Sequence, residues 1–171
     1  MLSHSFTKII IVIGILILFI NSCDHGLSPP EPEKKITGIS GTIYYQNWPP
    51  IDSLYDLRLV IFKNFPPPQD LFTEIFSGNA TVYPEINKSH LPYHVDSTSF
   101  TVELSPLTYE YIAIAQQHDS IFTVQESWRV VGQYDTILTD TIPTAVTVIQ
   151  DSLLRSIDIN VDFDNIPPQP F

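Results

Sequence analysis

Strict alternation of apolar and polar residues near the C-terminus constrains the fold of this chain most strongly. Every second residue from position 157 to 163 is apolar and the residues between and after them are polar, with Ile157, Ile159, Val161 and Phe163 set against Asp158, Asn160, Asp162 and Asp164. A period of two places the apolar side chains on one face of a β-strand. The segment is therefore predicted to be a strand with one face in a core and the other in water.

Other segments of the chain are short, rich in β-branched and aromatic residues, and bounded by Pro, Gly, Asn or Asp. Segments of this kind are typical of strands. The predicted strands are Gly38–Tyr45, Leu57–Lys63, Phe100–Leu104, Tyr109–Gln116, Ser127–Tyr134, Thr144–Ile149 and Ser156–Phe163. This pattern predicts an all-β fold class, a small antiparallel β-sandwich of about seven strands.

A single stretch, Asp70–Gly78, is predicted to be helical, because Asp70 is able to cap a first turn and Gly78 is able to end a last one. The Pro-rich segment from Phe65 to Thr98 that contains it is predicted to be irregular. Two interpretations stay open for this segment. It is either a long connection between sheets or an elaboration that lies over one sheet edge.

The N-terminus has the layout of an export signal. Lys8 precedes an uncharged apolar run from Ile9 to Ile20, which is shorter than the roughly 20 residues of a spanning helix. The run ends in Ile20-Asn21-Ser22-Cys23, and Cys23 is the only cysteine. This string resembles the lipobox of bacterial lipoproteins, which implies cleavage before Cys23 and lipidation of its sulfur. A plain secreted protein and an uncleaved anchor are the alternatives.

The predicted organisation follows from that resemblance. Residues 1–22 are a lipoprotein signal peptide, residues 23–35 are the lipidated Cys23 and a flexible tether rich in Pro and charge, and residues 36–171 are the β-sandwich domain. The expected location is the bacterial cell envelope, where the protein is membrane-anchored and faces the periplasm or the surface. With one cysteine the chain has no intrachain disulfide, so its stability must come from a core.

The charge balance excludes one class of partner. Eight basic residues against 19 acidic ones give a net charge of −11, and loss of Lys8 with the signal leaves 7 against 19, or −12. Such a chain is repelled by nucleic acid and by anionic headgroups. Membrane attachment is therefore predicted to depend on an N-terminal lipid anchor. The remaining partner classes are an envelope protein and a glycan.

Three segments resemble a known domain family. They are Gly41-x-Ile43, the buried strand Leu57–Phe62, and Phe100-x-Val102-x-Leu104 followed by Tyr109. This order is similar to that of the carboxypeptidase regulatory-like, or transthyretin-like, β-sandwich domain, over roughly residues 38 to 116. In that family the third segment opens a hairpin, whose Pro-Gly turn is replaced here by Leu107-Thr108. The resemblance implies a non-catalytic accessory or adhesive module and carries over no functional residue.

No catalytic or cofactor motif is found in the sequence. The serine-hydrolase string Gly-x-Ser-x-Gly is absent, and Cys23 is assigned to lipidation. The chain is therefore predicted to have no cofactor and not to be an enzyme, with a structural or binding role. A metal-dependent hydrolase is the less favoured alternative.

The acidic row on the last predicted strand supplies the candidate metal ligands Asp158, Asp162 and Asp164. Calcium and similar cations take several oxygen ligands. Alternate positions on a strand lie roughly 7 Å apart, so a loop carboxylate, Asp135 or Asp140, would have to join them. A solvated strand face is the favoured interpretation.

Two further features allow a binding interpretation. His90 and His94 are four residues apart, but Pro92 prevents a regular helix between them, so exposed loop histidines are favoured over a zinc site. Trp48, between Asn47 and Pro49, is expected in a loop and is the candidate ligand-binding ring of a glycan- or peptide-binding module. Packing of this ring is favoured, because most large rings of a small sandwich fill its core.

Overall fold

β-Strands make up most of the regular structure of this chain. The computed structural model describes residues 35–68, 71–121, 125–137 and 142–170. Within them the strands are β1 (Gly38–Gln46), β2 (Asp56–Phe62), β3 (Ala80–Tyr83), β4 (Ser97–Glu103), β5 (Thr108–Tyr109), β6 (Tyr111–Gln117), β7 (Trp128–Gln133), β8 (Val146–Thr147), β9 (Leu153–Leu154) and β10 (Ile159–Asp162). The same residues contain a helix, α1 (Leu71–Phe76), and two short 3-10 turns. The prediction of a β-rich fold is confirmed.

The strands form one dominant sheet. Seven strands follow the order β3-β2-β6-β7-β10-β1-β4 and curl strongly into a half-barrel, while β9 also pairs with β1. The strands β5 and β8 form a separate two-stranded sheet. The structure therefore differs from the predicted antiparallel sandwich. The sheet is mixed, because β1 runs parallel to β10 and β9, and one curled sheet stands where two stacked sheets were expected.

The curl allows one sheet to bury its own apolar face. We call this face the inner face. Its largest fully buried aliphatic side chains come from β1, β2, β6, β7 and β10 and include Ile39, Ile43, Leu57, Leu59, Ile112, Ile114, Val131 and Ile159. The predicted alternation in the last strand is confirmed, since Ile159 and Val161 are buried and Asn160 is exposed. A sheet that closes around its apolar side chains does not require a second layer.

The parallel pairing of β1 depends on a close approach at Gly41. A Cβ atom there would collide with the backbone of Ile157. With glycine in place, the Ile157 N–H donates to the carbonyl of Ser40 at 3.1 Å, and the Thr42 N–H donates to the Asp158 carboxylate at 2.8 Å. The chain between β9 and β10 thus stays attached to β1. Alternation alone did not indicate this direction, because it reports which face is buried and not how a neighbouring strand runs.

A second, smaller core lies on the opposite face of the sheet, which we call the outer face. Every residue of β2 is buried, because this strand contributes alternately to both cores. The outer-face core consists of Val60, Phe62, Ala80, Tyr111, Ala113 and Val130, with Ile75 of α1 packed against it. Gly78, with a φ of 74°, follows the helix as predicted. The predicted cap, Asp70, lies outside the described residues.

The segment from Phe65 to Thr98, predicted to be irregular, contains α1 and β3, and its last two residues belong to β4 at the other end of the sheet. Its strand β3 pairs antiparallel with β2 at the end of the sheet. The buried Arg58 holds the chain that follows β3. Its guanidinium donates to the carbonyls of Pro84 and Glu85, both at 3.0 Å, and its Nε pairs with Asp56 at 2.7 Å.

The hairpin implied by the family resemblance is not formed. The strand β4 pairs with β1 at one end of the sheet, whereas β6 lies between β2 and β7. Between them, β5 leaves the main sheet and pairs with β8. The connection around Leu107 therefore leaves the main sheet for the two-stranded sheet, because its strand β5 pairs with β8, which lies much later in the chain.

The N-terminal predictions fall on residues outside the described part of the chain. These are the signal peptide, Cys23 and the tether as far as residue 34. Among the residues that the structure describes, no helix has the length and apolar character needed to cross a bilayer.

Candidate functional site

Trp48 lies in the loop after β1, as predicted, but its ring is largely packed. The ring centroid lies 4.8 Å from that of Tyr45 and 4.7 Å from that of Phe163. Its indole N–H donates to the carbonyl of Val95 at 2.9 Å. These contacts hold the Trp48 ring in place at one end of the inner core. Ligand binding at this ring stays a prediction.

The two candidate zinc histidines make separate contacts in the loop before β4. His90 stacks on Tyr93, with ring centroids 3.8 Å apart and an interplanar angle of 4°. His94 lies beside Trp48 at 5.4 Å and has a φ of 53°. Each imidazole is thus held by a neighbouring aromatic ring.

Of the three candidate metal ligands, Asp162 lies in β10, Asp158 directly before it and Asp164 two residues after it, and the carboxylates of Asp158 and Asp162 act as hydrogen-bond acceptors. Asp158 accepts the Thr42 N–H, and Asp162 accepts the Asn47 amide at 2.8 Å. The Asn47 amide, then the Asp164 N–H and the Asn165 amide, lower the pKa of Asp162 below its usual value. In the described part of the chain, no three His, Cys, Asp or Glu residues are grouped as a metal ion would require. The carboxylate of Asp140 lies outside that part.

The carboxylates of Asp158 and Asp162 line a polar groove on the outer face, where β7, β10 and β1 lie side by side. The groove has a volume of about 420 Å³. Its polar lining residues are Gln46, Gln133, Asp135, Asp158, Asn160, Asp162 and Asn165. Pairing explains why residues so distant in sequence meet, since Asn160 is opposite Tyr44 on one side and Gln133 on the other.

Several side-chain amides of this polar groove have donors or acceptors that make no hydrogen bond to the described residues. The amides of Gln46 and Asn160 have no hydrogen-bond partner among the described residues. Gln133 uses its amide oxygen to accept the Tyr111 hydroxyl at 3.3 Å, which leaves its nitrogen as a donor. Free amides both donate and accept, so they match groups such as sugar hydroxyls.

An exposed aromatic ring stands beside the amides. Tyr44 neighbours Asn160 across the β1–β10 pair, and its side chain is 45% exposed. The groove lining contains carboxylates and no Lys or Arg. A neutral ligand with many hydroxyl groups fits this set of groups better than an anion does.

A second cavity, the apolar slot, lies on the outer face beneath α1. It has a volume of about 40 Å³ and is lined by Val60, Ile75, Ala113, Ala115 and Val130 among others. This volume is well below that of pockets that hold drug-sized molecules. The slot is a packing gap of the outer-face core.

Sequence reasoning missed Gln46 and Gln133 as groove residues and Tyr44 as the ring next to Asn160. The period of two already put Tyr44 and Gln46 on the face opposite Ile43 and Tyr45. It could not show that β1, β10 and β7 are neighbours in the sheet. The pairing of β1 with β10 joins residues more than a hundred positions apart.

The fold and these sites were compared with known proteins. No protein-family model, curated protein or solved structure matches the chain.

Proposed function

We propose that this protein is a non-catalytic lipoprotein of the bacterial cell envelope with a structural or binding role. The observation that carries the proposal is the string Ile20-Asn21-Ser22-Cys23 directly after an uninterrupted apolar run, with Cys23 the only cysteine of the chain. Lys8 before the run completes the layout of an export signal. The acyl groups on Cys23 anchor the acidic domain to a membrane.

The β domain is proposed to be related to the carboxypeptidase regulatory-like, or transthyretin-like, sandwiches. Support comes from the three segments that carry the resemblance, which lie in or beside β1, β2 and β4. In particular, Gly41 is opposite Phe100 and Ile39 is opposite Val102 in the β1–β4 pair. The mixed sheet and the missing hairpin are the departures from that pattern.

The intact mass of the protein tests the anchor. The full chain is extracted with detergent from its native membrane, beside a Cys23→Ala variant. We expect a mass equal to residues 23–171 plus acyl groups, and loss of both cleavage and acylation in the variant. A mass that retains residues 1–22 without acyl groups would instead assign an uncleaved anchor, and a cleaved but unacylated chain would assign a secreted protein.

The polar groove favours a binding role with a glycan as ligand. Sugar recognition combines an aromatic ring under the apolar face of the sugar with amides and carboxylates that bond its hydroxyls. Tyr44, next to Asn160 in the sheet, supplies the ring, while Gln46 and Asn160 supply amides that have no partner among the described residues. Trp48, the candidate ligand-binding ring from the sequence, packs against Phe163.

Binding of a defined oligosaccharide tests this role. Chitohexaose and maltohexaose, which are neutral β- and α-linked chains, are titrated into the detergent-extracted full chain by calorimetry. Loss of a stacking ring is worth about 1.4 kcal/mol, so Tyr44→Ala is expected to weaken binding about tenfold. Asn160→Ala is expected to weaken it as well.

Tyr55→Ala is the matched control, because Tyr55 is 48% exposed and lies outside the groove. Its binding should equal that of the unmodified chain. Equal loss in the Tyr44 and Tyr55 variants, or no heat with either oligosaccharide, would remove glycan binding at the groove while leaving the lipoprotein proposal to its own test.

A further inference from the structure

The terminal strand β4 has one edge with no partner strand among the described residues. It pairs with β1 on one side and is the last strand of the sheet. The Leu104 N–H donates to Thr37 at 3.0 Å and the Tyr45 N–H donates to Asp96 at 2.9 Å. In an antiparallel pair, alternate residues bond to the neighbour, so the even-numbered residues of β4 point their backbone groups at β1. The backbone groups of Ser97, Ser99 and Thr101 point away from it.

The strand β4 itself lacks three features by which proteins commonly block strand addition, namely a bulge, proline and lysine. The β1–β4 register runs without interruption from Gly38–Glu103 to Tyr44–Ser97, so no bulge twists the edge away. The strand has no Pro and no Lys, the residues that commonly protect edges. The opposite edge of the sheet is different, because β3 has four residues and is followed directly by Pro84.

The side chains of β4 are compatible with a second copy of the same strand. In an antiparallel pair centred on Phe100, Ser99 is opposite the second copy's Thr101, and Ser97 is opposite its Glu103. Hydroxyl pairs of this kind are favourable across strands, and no like charges meet. On the inner face, Phe100 of one copy lies opposite Phe100 of the other, so the apolar side of the sheet continues across the junction.

We infer that two copies of this chain associate through antiparallel pairing of their β4 strands, and that the half-barrel sheet continues from one copy into the other. The partner is a second copy because the strand is complementary to itself in this orientation and carries one charged residue among seven. The contact is a single strand pair, so the dimer is weak and reversible. The net charge of −11 opposes it, so added salt strengthens it.

Sedimentation equilibrium of the full chain in density-matched detergent measures this association. We expect a monomer–dimer equilibrium that shifts toward dimer with protein concentration and with salt. Thr101→Pro and Ser99→Pro each remove an outward N–H without breaking a bond to β1, so both variants should be monomeric. Tyr55→Ala, at an exposed residue outside β4, should dimerise like the unmodified chain. Circular dichroism verifies that each variant is folded.

Amide hydrogen exchange gives a second readout that does not depend on any substitution. The Phe100 amide, which points at β1, should be protected at every concentration. The amides of Ser99 and Thr101 should gain protection only where the dimer forms. A chain that stays monomeric at all concentrations and salts overturns the inference, as does a dimer that survives both proline substitutions. If the Ser99 amide gains protection only when an envelope extract is added, the partner is a different protein and the inference of a dimer is overturned.

Discussion

At the scale of single residues, Trp48 joins β1 to the loop before β4. Its ring packs on Phe163 and its N–H bonds to Val95. Trp48→Ala should lower the free energy of unfolding by about 3 kcal/mol, because it leaves a cavity where large rings met. Trp48→Phe retains most of the packing and loses the hydrogen bond, which is worth about 1 kcal/mol. Urea unfolding measures both.

The comparison between the two variants separates packing from hydrogen bonding. Equal losses for Trp48→Ala and Trp48→Phe would mean that the bond to Val95, and not the ring, secures the loop. An unchanged stability in Trp48→Ala would place the ring outside the core and return it to the candidates for ligand binding.

Arg58 is the second residue on which a loop depends. Its guanidinium is buried, pairs with Asp56, and donates to carbonyls of Pro84, Glu85, Lys88 and Ser89. Arg58→Met leaves the buried Asp56 carboxylate without its cationic partner and these carbonyls without their donor, which should cost about 3 kcal/mol in the free energy of unfolding. Exchange of the backbone amides of residues 85–89 should accelerate as well.

Arg155→Met is the matched control, since Arg155 is exposed and has no contact of this kind among the described residues. Its effect should stay within about 0.5 kcal/mol. An Arg58→Met variant as stable as this control would show that the loop after β3 holds its shape without the guanidinium.

At the scale of elements, the parallel pairing of β1 rests on the missing side chain of Gly41. Gly41→Ala places a methyl group against the backbone of Ile157, so β1 and the chain before β10 must separate. We expect a loss of about 3 kcal/mol or more, at the upper end of overpacking effects. Thermal unfolding followed by circular dichroism measures it.

Gly78→Ala controls for the effect of adding a methyl group. Gly78 has a φ of 74° and open space around it, so alanine there meets only the strain of a left-handed conformation, about 1 kcal/mol. If the two variants lose the same stability, the close approach at Gly41 does not hold the parallel pair together.

The elements differ in how far local sequence could predict them. Strands with clear alternation, such as β1, β4 and β10, were placed within a few residues, because burial of one face leaves a period of two. The strands β3 and β9 were missed. The first sits in a Pro-rich segment and is fixed by β2, and the second has two residues, too few to show a period.

The candidate site was predictable to a smaller extent than the strands. Local sequence identified the carboxylates in and beside β10 and the outward position of Asn160. It did not bring Gln46 and Gln133 to the same groove, because that requires the order β7-β10-β1. Parallel pairing in particular joins strands that are far apart in the chain, and no local pattern reports it.

At the scale of the whole molecule, buried tyrosines make stability depend on alkaline pH. Burial raises the pKa of Tyr45 to about 12. Burial also raises the pKa of Tyr93 to about 12, and those of Tyr109 and Tyr111 move in the same direction. A tyrosine in the unfolded chain titrates near pH 10, so the unfolded chain releases these protons first.

The sign of the effect follows from this order of proton release. The stabilising contribution of each tyrosine is complete below pH about 10 and is lost as the pH rises toward 12. The free energy of unfolding, measured in urea, should therefore be flat from neutral pH to about 9 and then fall steeply. Tyr45→Phe removes one of the titrating groups and should make the fall shallower. The absorbance of phenolate at high pH should show the same tyrosines ionising late.

Tyr45→Phe also tests the cost of a buried hydroxyl at neutral pH. The Tyr45 hydroxyl is buried and completes no hydrogen bond among the described residues, so its removal should leave stability at pH 7 unchanged or slightly raised. A variant that is less stable at pH 7 would reveal a hydrogen bond to Thr98 that outweighs desolvation. If the free energy of unfolding of Tyr45→Phe falls as steeply at alkaline pH as that of the unmodified chain, the titrating groups are Tyr93, Tyr109 and Tyr111. Tyr93→Phe should then make the fall shallower.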